Sequence, residues 1–286
     1  NKNGIKIGVF GLGIELQGLV DKRMSKETVY NNPLEITQDM VRILKKENKV
    51  FGISSNYINC IYQDRQGTLY IGTNNGVQKM VNGKFQDIVL YRANGKKIKT
   101  YITGILQLSN GDIIVSSSGY GVMKLKGTYG TPYGGILKNT NYVVHMLQDK
   151  HGQLWLVTED QGLLCIKGNK IKRYFLSAEE KACIKDGDIC EDKKGNIYVG
   201  TNGMGLWRLN YGAKAFQWIK PTAKMPIKDL YIDHQGNVLL GCDGIGLYVY
   251  YPNTGQLVAN PFYSNDISLP KTKIQTIVED RNGNIW

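Results

Sequence analysis

Short apolar runs alternate with polar, glycine-containing clusters along most of this chain, and one version of that alternation recurs. An acidic or amide residue, two variable residues, Gly and one more residue lead into an apolar–aromatic–apolar run. Gly-Thr often follows, then Gly-Leu. The clearest copy runs from Glu191 to Leu206, Glu-Asp-Lys-Lys-Gly-Asn-Ile-Tyr-Val-Gly-Thr-Asn-Gly-Met-Gly-Leu. Others run from Gln63 to Thr73, Gln148 to Leu156, Ile232 to Gly241 and Glu279 to Trp286. Leu108 to Ile113 is a worn copy, and Asn1 to Gly8 is another with one residue missing.

Each copy predicts a strand, a tight turn and a second strand. Asp64, Asp149, Asp192, Asp233 and Asp280 can accept hydrogen bonds from the backbone N–H groups of their own turns, while Gly67, Gly152, Gly195, Gly236 and Gly283 take the positive φ the turns need. Runs such as Ile-Tyr-Val suit a pleated surface, and the Gly-Thr step marks a close approach of neighbouring sheets. The turn glycines stand at 4, 67, 111, 152, 195, 236 and 283, so they recur every 41 to 47 residues after one interval of 63. A period of about 40–50 in an all-strand pattern means radial blades or a stacked array. Each period has room for four short antiparallel strands, which is one propeller blade. A blade apolar on both faces must pack against its neighbours to bury them. The expectation is therefore an all-β fold, a β-propeller over 1–286 with seven blades and six as the alternative count. The one helical pattern, Leu34 to Lys46, falls in the long interval and reads either as an insertion or as a blade with longer strands.

Composition adds bounds. The 286 residues suit one large β domain, and 34 Gly against 7 Pro suits many turns and unbroken strands. The net charge of +12 permits an anionic partner. The lysines are spread, however, and Lys45–Lys49 and Lys96–Lys99 are too short for a nucleic-acid arm, so no bound nucleic acid is expected. Cysteines 60, 165, 183, 190 and 242 lack metal spacing and read as small buried thiols. No apolar run reaches the ~18 residues of a membrane span. The start at Asn1 and the stop at Trp286 in mid-motif give the look of an excerpt.

The pattern E-D-x-x-G-N-I-(W/Y)-(I/V)-G-T-x-x-x-G-L resembles the two-component regulator propeller repeat. Tyr251-Pro252-Asn253-Thr254-Gly255-Gln256-Leu257, then Asn265-Asp266-Ile267-Ser268-Leu269-Pro270, is similar to that family's linker between blades. The likeness is weakest from Val20 to Ser55 and around Gly127 to Gly135. It implies the periplasmic sensor of a hybrid receptor of Bacteroidetes type, with further propeller, membrane-span, histidine-kinase, receiver and DNA-binding domains in the same polypeptide. It also implies an oligosaccharide stimulus; the charge suggests an acidic one, and signalling through dimer geometry suggests a homodimer.

Enzyme chemistry finds little support. His145, His151 and His234 lack metal spacing, and the last two fall in variable turn positions. Gly8-Val9-Phe10-Gly11-Leu12-Gly13 invites a dinucleotide reading, but the third glycine of that motif would fall where Leu16 stands, and the segment aligns with the blade motif instead. One Asp per turn is too few for a calcium loop. No cofactor or metal is expected. The turns between second and third strands vary from blade to blade, as sugar recognition needs. Asn74, Asn75, Tyr120, Asp160, Asn202 and Asp243 are the ligand-binding candidates there. Trp155 and Tyr198 lie in strands and read as packing. Two rival functions remain open: a carbohydrate-active propeller enzyme, lyase or glycosidase, for which Glu159 and Asp160 are the only adjacent acids on that face, and a protein–protein scaffold.

Overall fold

The computed structural model describes residues 53–137, 139–261, 273–280 and 282–286. The first blade holds β1 (Ile58–Gln63), β2 (Leu69–Thr73), β3 (Gly76–Val81) and β4 (Lys84–Tyr91). After the short β5 (Lys97–Ile98), the second holds β6 (Ile102–Gln107), β7 (Ile113–Ser117), β8 (Gly121–Lys126) and β9 (Tyr129–Pro132). The third holds β10 (Val143–Gln148), β11 (Leu154–Thr158), β12 (Leu163–Lys167) and β13 (Lys170–Tyr174). The fourth holds β14 (Ile189–Glu191), β15 (Ile197–Thr201), β16 (Gly205–Leu209) and β17 (Gln217–Trp218). The fifth holds β18 (Ile227–Ile232), β19 (Val238–Cys242), β20 (Gly246–Tyr251) and β21 (Gln256–Ala259). Each is an antiparallel meander, and the bridge Glu279↔Ile285 opens one more hairpin. First strands touch in series, β1 to β6, β6 to β10, β10 to β14 and β14 to β18, so they are innermost and the blades radiate from them. The described residues thus form a β-propeller with five complete blades. The motif copy at Gly4, the Gly8–Gly13 segment and the helical pattern at Leu34–Lys46 lie outside the described residues.

The core lies between blades. Strands β7, β11, β15 and β19 are buried at every position, which is why they read as continuous apolar runs. Trp155 and Val157 of the third blade pack with Ile189, Ile197 and Val199 of the fourth. Tyr198 and Leu206 of the fourth pack with Ile227, Leu230 and Leu240 of the fifth. Trp155 and Tyr198 are 2% and 0% exposed, as packing residues should be. At the outer rim, β4 runs parallel to β9 through Val89↔Tyr129 and Leu90↔Gly130, which closes the edges of the first two blades on each other.

The turns explain the repeated phrase. In each, the glycine N–H donates to the carbonyl of the residue three earlier, and the five predicted glycines have φ between +77° and +88°. The Asp149 Oδ1 accepts from His151 N and Gln153 N (3.0 and 2.8 Å), and its Oδ2 from Gln153 Nε2 and Trp155 Nε1 (2.8 and 2.9 Å). Asp192 and Asp280 repeat this set with Asn196 and Tyr198, and with Asn284 and Trp286. One carboxylate therefore dictates the Asp, the amide after the Gly and the aromatic two further on.

The residue before the Asp serves the neighbouring blade instead. Gln107 Oε1 accepts from Arg65 N, Gln148 Oε1 from Ser109 N, Glu191 Oε2 from Lys150 N, and Glu279 Oε2 from His234 N, each at 2.6–2.9 Å. These bonds tie the first four turns in series and the fifth turn to the one after it; before Asp233 stands Ile232, which has no side-chain acceptor to offer the fourth. The Gly-Thr step has the anticipated cause. A Cβ on Gly72, Gly200 or Gly241 would sit 2.7, 2.5 or 2.8 Å from Cγ2 of Ile102, Ile227 or Ile274 on the following blade. The Thr hydroxyl donates across its turn, Thr158 to Gly162 O and Thr201 to Gly205 O, both at 2.7 Å.

Candidate functional site

The D-x-x-G turns join first and second strands and lie on one face. The turns between second and third strands share the opposite face with the connections between blades. On that second face a cavity of about 530 Å³ opens among the inner strands. Asn59 lines it from the first blade, and Tyr101, Thr103 and Ser118 from the second. The third contributes Val144, His145 and Glu159, and the segment entering the fourth contributes Lys185 and Asp186.

β-bulges aim several of these side chains. The register of β1 against β2 slips at Asn59, that of β6 against β7 at Thr103, and that of β10 against β11 at Val144. An extra residue bends a strand and re-aims its side chain, and all three extra residues line the cavity. The fourth such slip, at Lys228 in β18, places an ammonium 3.6 Å from Asp186.

Lys185 and Asp186 are delivered by α1 (Ala178–Ile184), which bridges the third and fourth blades. The sequence reading missed this helix, although its signal is local. Ser177 caps it by accepting from Glu180 N at 3.1 Å, and Glu180 Oε2 returns the contact to Ser177 N at 2.9 Å, a full capping box. Fully buried Ile184 anchors its end.

Polar groups also link blades just below the cavity. Thr103 Oγ1 donates to Val143 O at 2.6 Å. His145 Nδ1 lies 3.3 Å from Asp188 Oδ1, and Asp188 Oδ2 accepts from Leu230 N at 3.0 Å. One blade on, Asp229 Oδ2 accepts from Ile277 N at 2.7 Å. Burial, reinforced by the Asp188 charge, pushes the Asp229 carboxyl up to about 7, against the pull of the Ile277 N–H.

The six turn residues chosen from sequence stand on the cavity face but beside the cavity. Asn202 comes nearest, donating to the lining residue Asp186 at 3.2 Å. Asn74 accepts from Ser55 Oγ at 3.2 Å. Asn75 donates to Ser54 O and lines a second cavity of about 270 Å³ against Lys97 and Lys99. The Arg92 guanidinium covers the Tyr120 ring, 4.7 Å from its centroid. Asp160 is exposed next to the lining residue Glu159. Asp243 is half-buried, its N–H donating to Pro226 O at 2.9 Å. The sequence does not single out His145, Asn59 and Thr103; they precede the turn by four or five residues and look like ordinary strand positions until the bulge is known. His151 and His234 are exposed turn residues.

The five cysteines are free thiols, with Cys183 in α1 and the others in strands. Among the described residues no group of three His, Cys, Asp or Glu side chains is gathered as for a metal ion. None of their helices is long and apolar enough to cross a membrane.

Curated protein sequences give no match. The sequence model of the two component regulator propeller matches residues 52–75, 137–160 and 184–203, in the first, third and fourth blades. The other two complete blades depart from the phrase further than the third, whose one change is Val157 for the Gly before Thr158: the second has Leu108 for Asp and Ser116-Ser117 for Gly-Thr, and the fifth has Leu239 and Cys242 for the aromatic and Thr. Among solved structures, the extracellular domain of a putative one component system from B. thetaiotaomicron is similar at a TM-score of 0.65 and 15% identity, over 82% of this chain and 33% of that one. The extracellular domain described as that of a putative hybrid two component system from the same organism gives 0.63 and 15%, over 80% and 32%. This chain thus spans about a third of those domains. Virginiamycin B lyase from Staphylococcus aureus gives 0.60 and 11%, over 80% and 76%. The chain is thus a β-propeller in which three segments match the two component regulator propeller repeat.

Proposed function

We propose that this propeller is the ligand-binding, extracytoplasmic sensor region of a two-component signalling receptor, and that its ligand is an oligosaccharide. The cavity at the inner ends of three blades is the observation that carries this reading. Its hydroxyl, amide, carboxylate and ammonium groups suit a ligand rich in hydroxyls, and Tyr101 offers a ring face for sugar C–H groups. With Glu159 and Asp186 against Lys185, the lining favours a neutral sugar over the acidic one suggested by the net charge. Ligand contacts with Thr103, His145 or Asp186 act on groups that join one blade to the next. A ligand that binds two arrangements of the blades with different affinity shifts their balance, and further propeller and kinase domains of the same polypeptide, in a periplasmic, homodimeric setting, would receive that shift. Calorimetry of the full chain against neutral, uronic and sulfated oligosaccharides tests the reading. Saturable binding to neutral members is expected; absence of heat with every member overturns it.

A second reading follows from His145, held by Asp188 beside Glu159 at the cavity. An imidazole oriented by a carboxylate can accept and return a proton, as a polysaccharide lyase or glycosidase requires. Release of new chain ends from a polysaccharide panel, abolished by His145→Ala, would favour it.

A further inference from the structure

Counting back seven residues from the turn Asp, or from Leu108 in the second blade, gives Tyr57, Tyr101, Tyr142, Lys185 and Pro226 in successive blades. Three consecutive blades therefore place a tyrosine at one structural position, the entry to the innermost strand on the cavity face. Their backbones are pinned there. Tyr101 O accepts from Ser118 N and Tyr142 O from Glu159 N, both at 3.1 Å, and Tyr57 N donates to Ser55 Oγ at 3.1 Å. Their side chains, by contrast, are free: the residues are 71%, 47% and 42% exposed for Tyr57, Tyr101 and Tyr142. Other tyrosines have work within the fold. Tyr62 OH accepts from Gln107 N, Tyr198 OH donates to Asp192, and Tyr211 stacks on His151.

Three exposed rings in one register, with hydroxyl partners between them, have a specific chemistry. An aromatic face attracts the C–H side of a saturated ring, and the neighbouring polar groups satisfy that ring's hydroxyls. Ser118 and Glu159, whose N–H groups fix Tyr101 and Tyr142, themselves line the cavity. The series ends where Lys185 takes the position in the fourth blade.

The geometry points to an aromatic arc, Tyr57–Tyr101–Tyr142, that binds a linear, neutral, polyhydroxylated oligomer laid across the first three blades, its rings stacking on successive tyrosines and its hydroxyls turned toward Ser118 and Glu159. This rests on the oligosaccharide reading and narrows it to an extended chain rather than a mono- or disaccharide. Engaging a second tyrosine makes its contact intramolecular, so affinity climbs with chain length until the arc is filled.

The test is calorimetry of the full chain with linear neutral gluco-, manno- and xylo-oligosaccharides of two to six units. The variants are Tyr57→Ala, Tyr101→Ala, Tyr142→Ala and Tyr101→Phe, with Tyr211→Ala on the opposite face as control. Affinity should rise with length for the series that binds. Each alanine variant at the arc should weaken the longest member about three- to tenfold, the size of one aromatic contact. Tyr101→Phe and Tyr211→Ala should bind like the wild type, and the melting temperatures of the Tyr57, Tyr101 and Tyr142 variants should not move, because those three rings are exposed. Binding by the wild type that is indifferent to all three alanine variants, or to chain length, overturns the arc and leaves the oligosaccharide reading standing. Failure of the wild type to bind any member of the wider neutral, uronic and sulfated panel overturns both.

Discussion

Gly200→Ala should damage this fold through a single methyl group. Gly200 has no left-handed φ, so its backbone suits alanine; only space forbids it. The new Cβ would lie 2.5 Å from Ile227 Cγ2 and 3.2 Å from both Ile227 Cβ and Leu230 Cγ. Ile227 is 0% exposed and β-branched, so it cannot swing away at χ1 without hitting the rest of the fourth–fifth blade interface. Overpacking of this kind costs about 1–3 kcal/mol. The restriction of the unfolded chain by alanine returns roughly 0.4–1 kcal/mol, leaving a net loss of about 1–2 kcal/mol. Ile227→Ala alone should cost ~2–5 kcal/mol through its cavity.

The double variant separates this explanation from a general intolerance of change at the interface. The methyl added at position 200 points into the volume that Ile227 vacates, so the two losses should fall short of their sum by about 1–3 kcal/mol. Urea unfolding followed by tryptophan fluorescence gives midpoint and slope for all four proteins. The second blade shows that the space can be reassigned: Ser116 stands at the equivalent position, and its partner across the ladder is Gly104, whose own Cβ would meet Ser116 Oγ at 3.0 Å. Wild-type stability for Gly200→Ala, or strict additivity in the double variant, would refute the argument that the glycine is there for the isoleucine.

Two further substitutions test other parts of the fold. Asp149→Ala removes the acceptor of four hydrogen bonds and strands the indole N–H of Trp155, which is 2% exposed, so a loss of roughly 2–4 kcal/mol and a shifted tryptophan emission are expected; unchanged emission and midpoint would mean the turn holds without its carboxylate. Asp229 holds its proton up to about pH 7 in the fold but only to about 3.8 when unfolded, so native stability falls as pH rises between those values; Asp229→Asn should melt higher than the wild type at pH 8 and lose that advantage toward pH 4, and an advantage independent of pH would contradict the assignment.

How far the sequence reveals these features depends on where each residue finds its partner. Asp149 bonds only to residues within six positions of itself, so the turn, its glycine and its aromatic can be read from one copy of the phrase. Glu191 stands beside an equally regular Asp, yet its partner Lys150 is 41 residues earlier, and nothing local separates it from a solvated charge. The glycines of the Gly-Thr step were legible as a close approach, while the isoleucine that demands each one lies on the next blade. The cavity is further removed still. Asn59, Thr103 and Val144 reach it because each is the extra residue of a bulge, and an alternation of polar and apolar residues assumes a regular pleat with no bulge. A strict period of two points attention to the variable turns, where Asn74, Tyr120 and Asp160 stand. The bulges turn Asn59, Thr103 and Val144 to the cavity instead, five residues ahead of the turn Asp or its counterpart Leu108. Superposing the blades on their turn Asp restores what a single strand hides, because only then do Tyr57, Tyr101 and Tyr142 fall into one column. In a repeat fold the turn residues can be read from a single copy, whereas a recurring exposed side chain emerges only when one position is compared across copies.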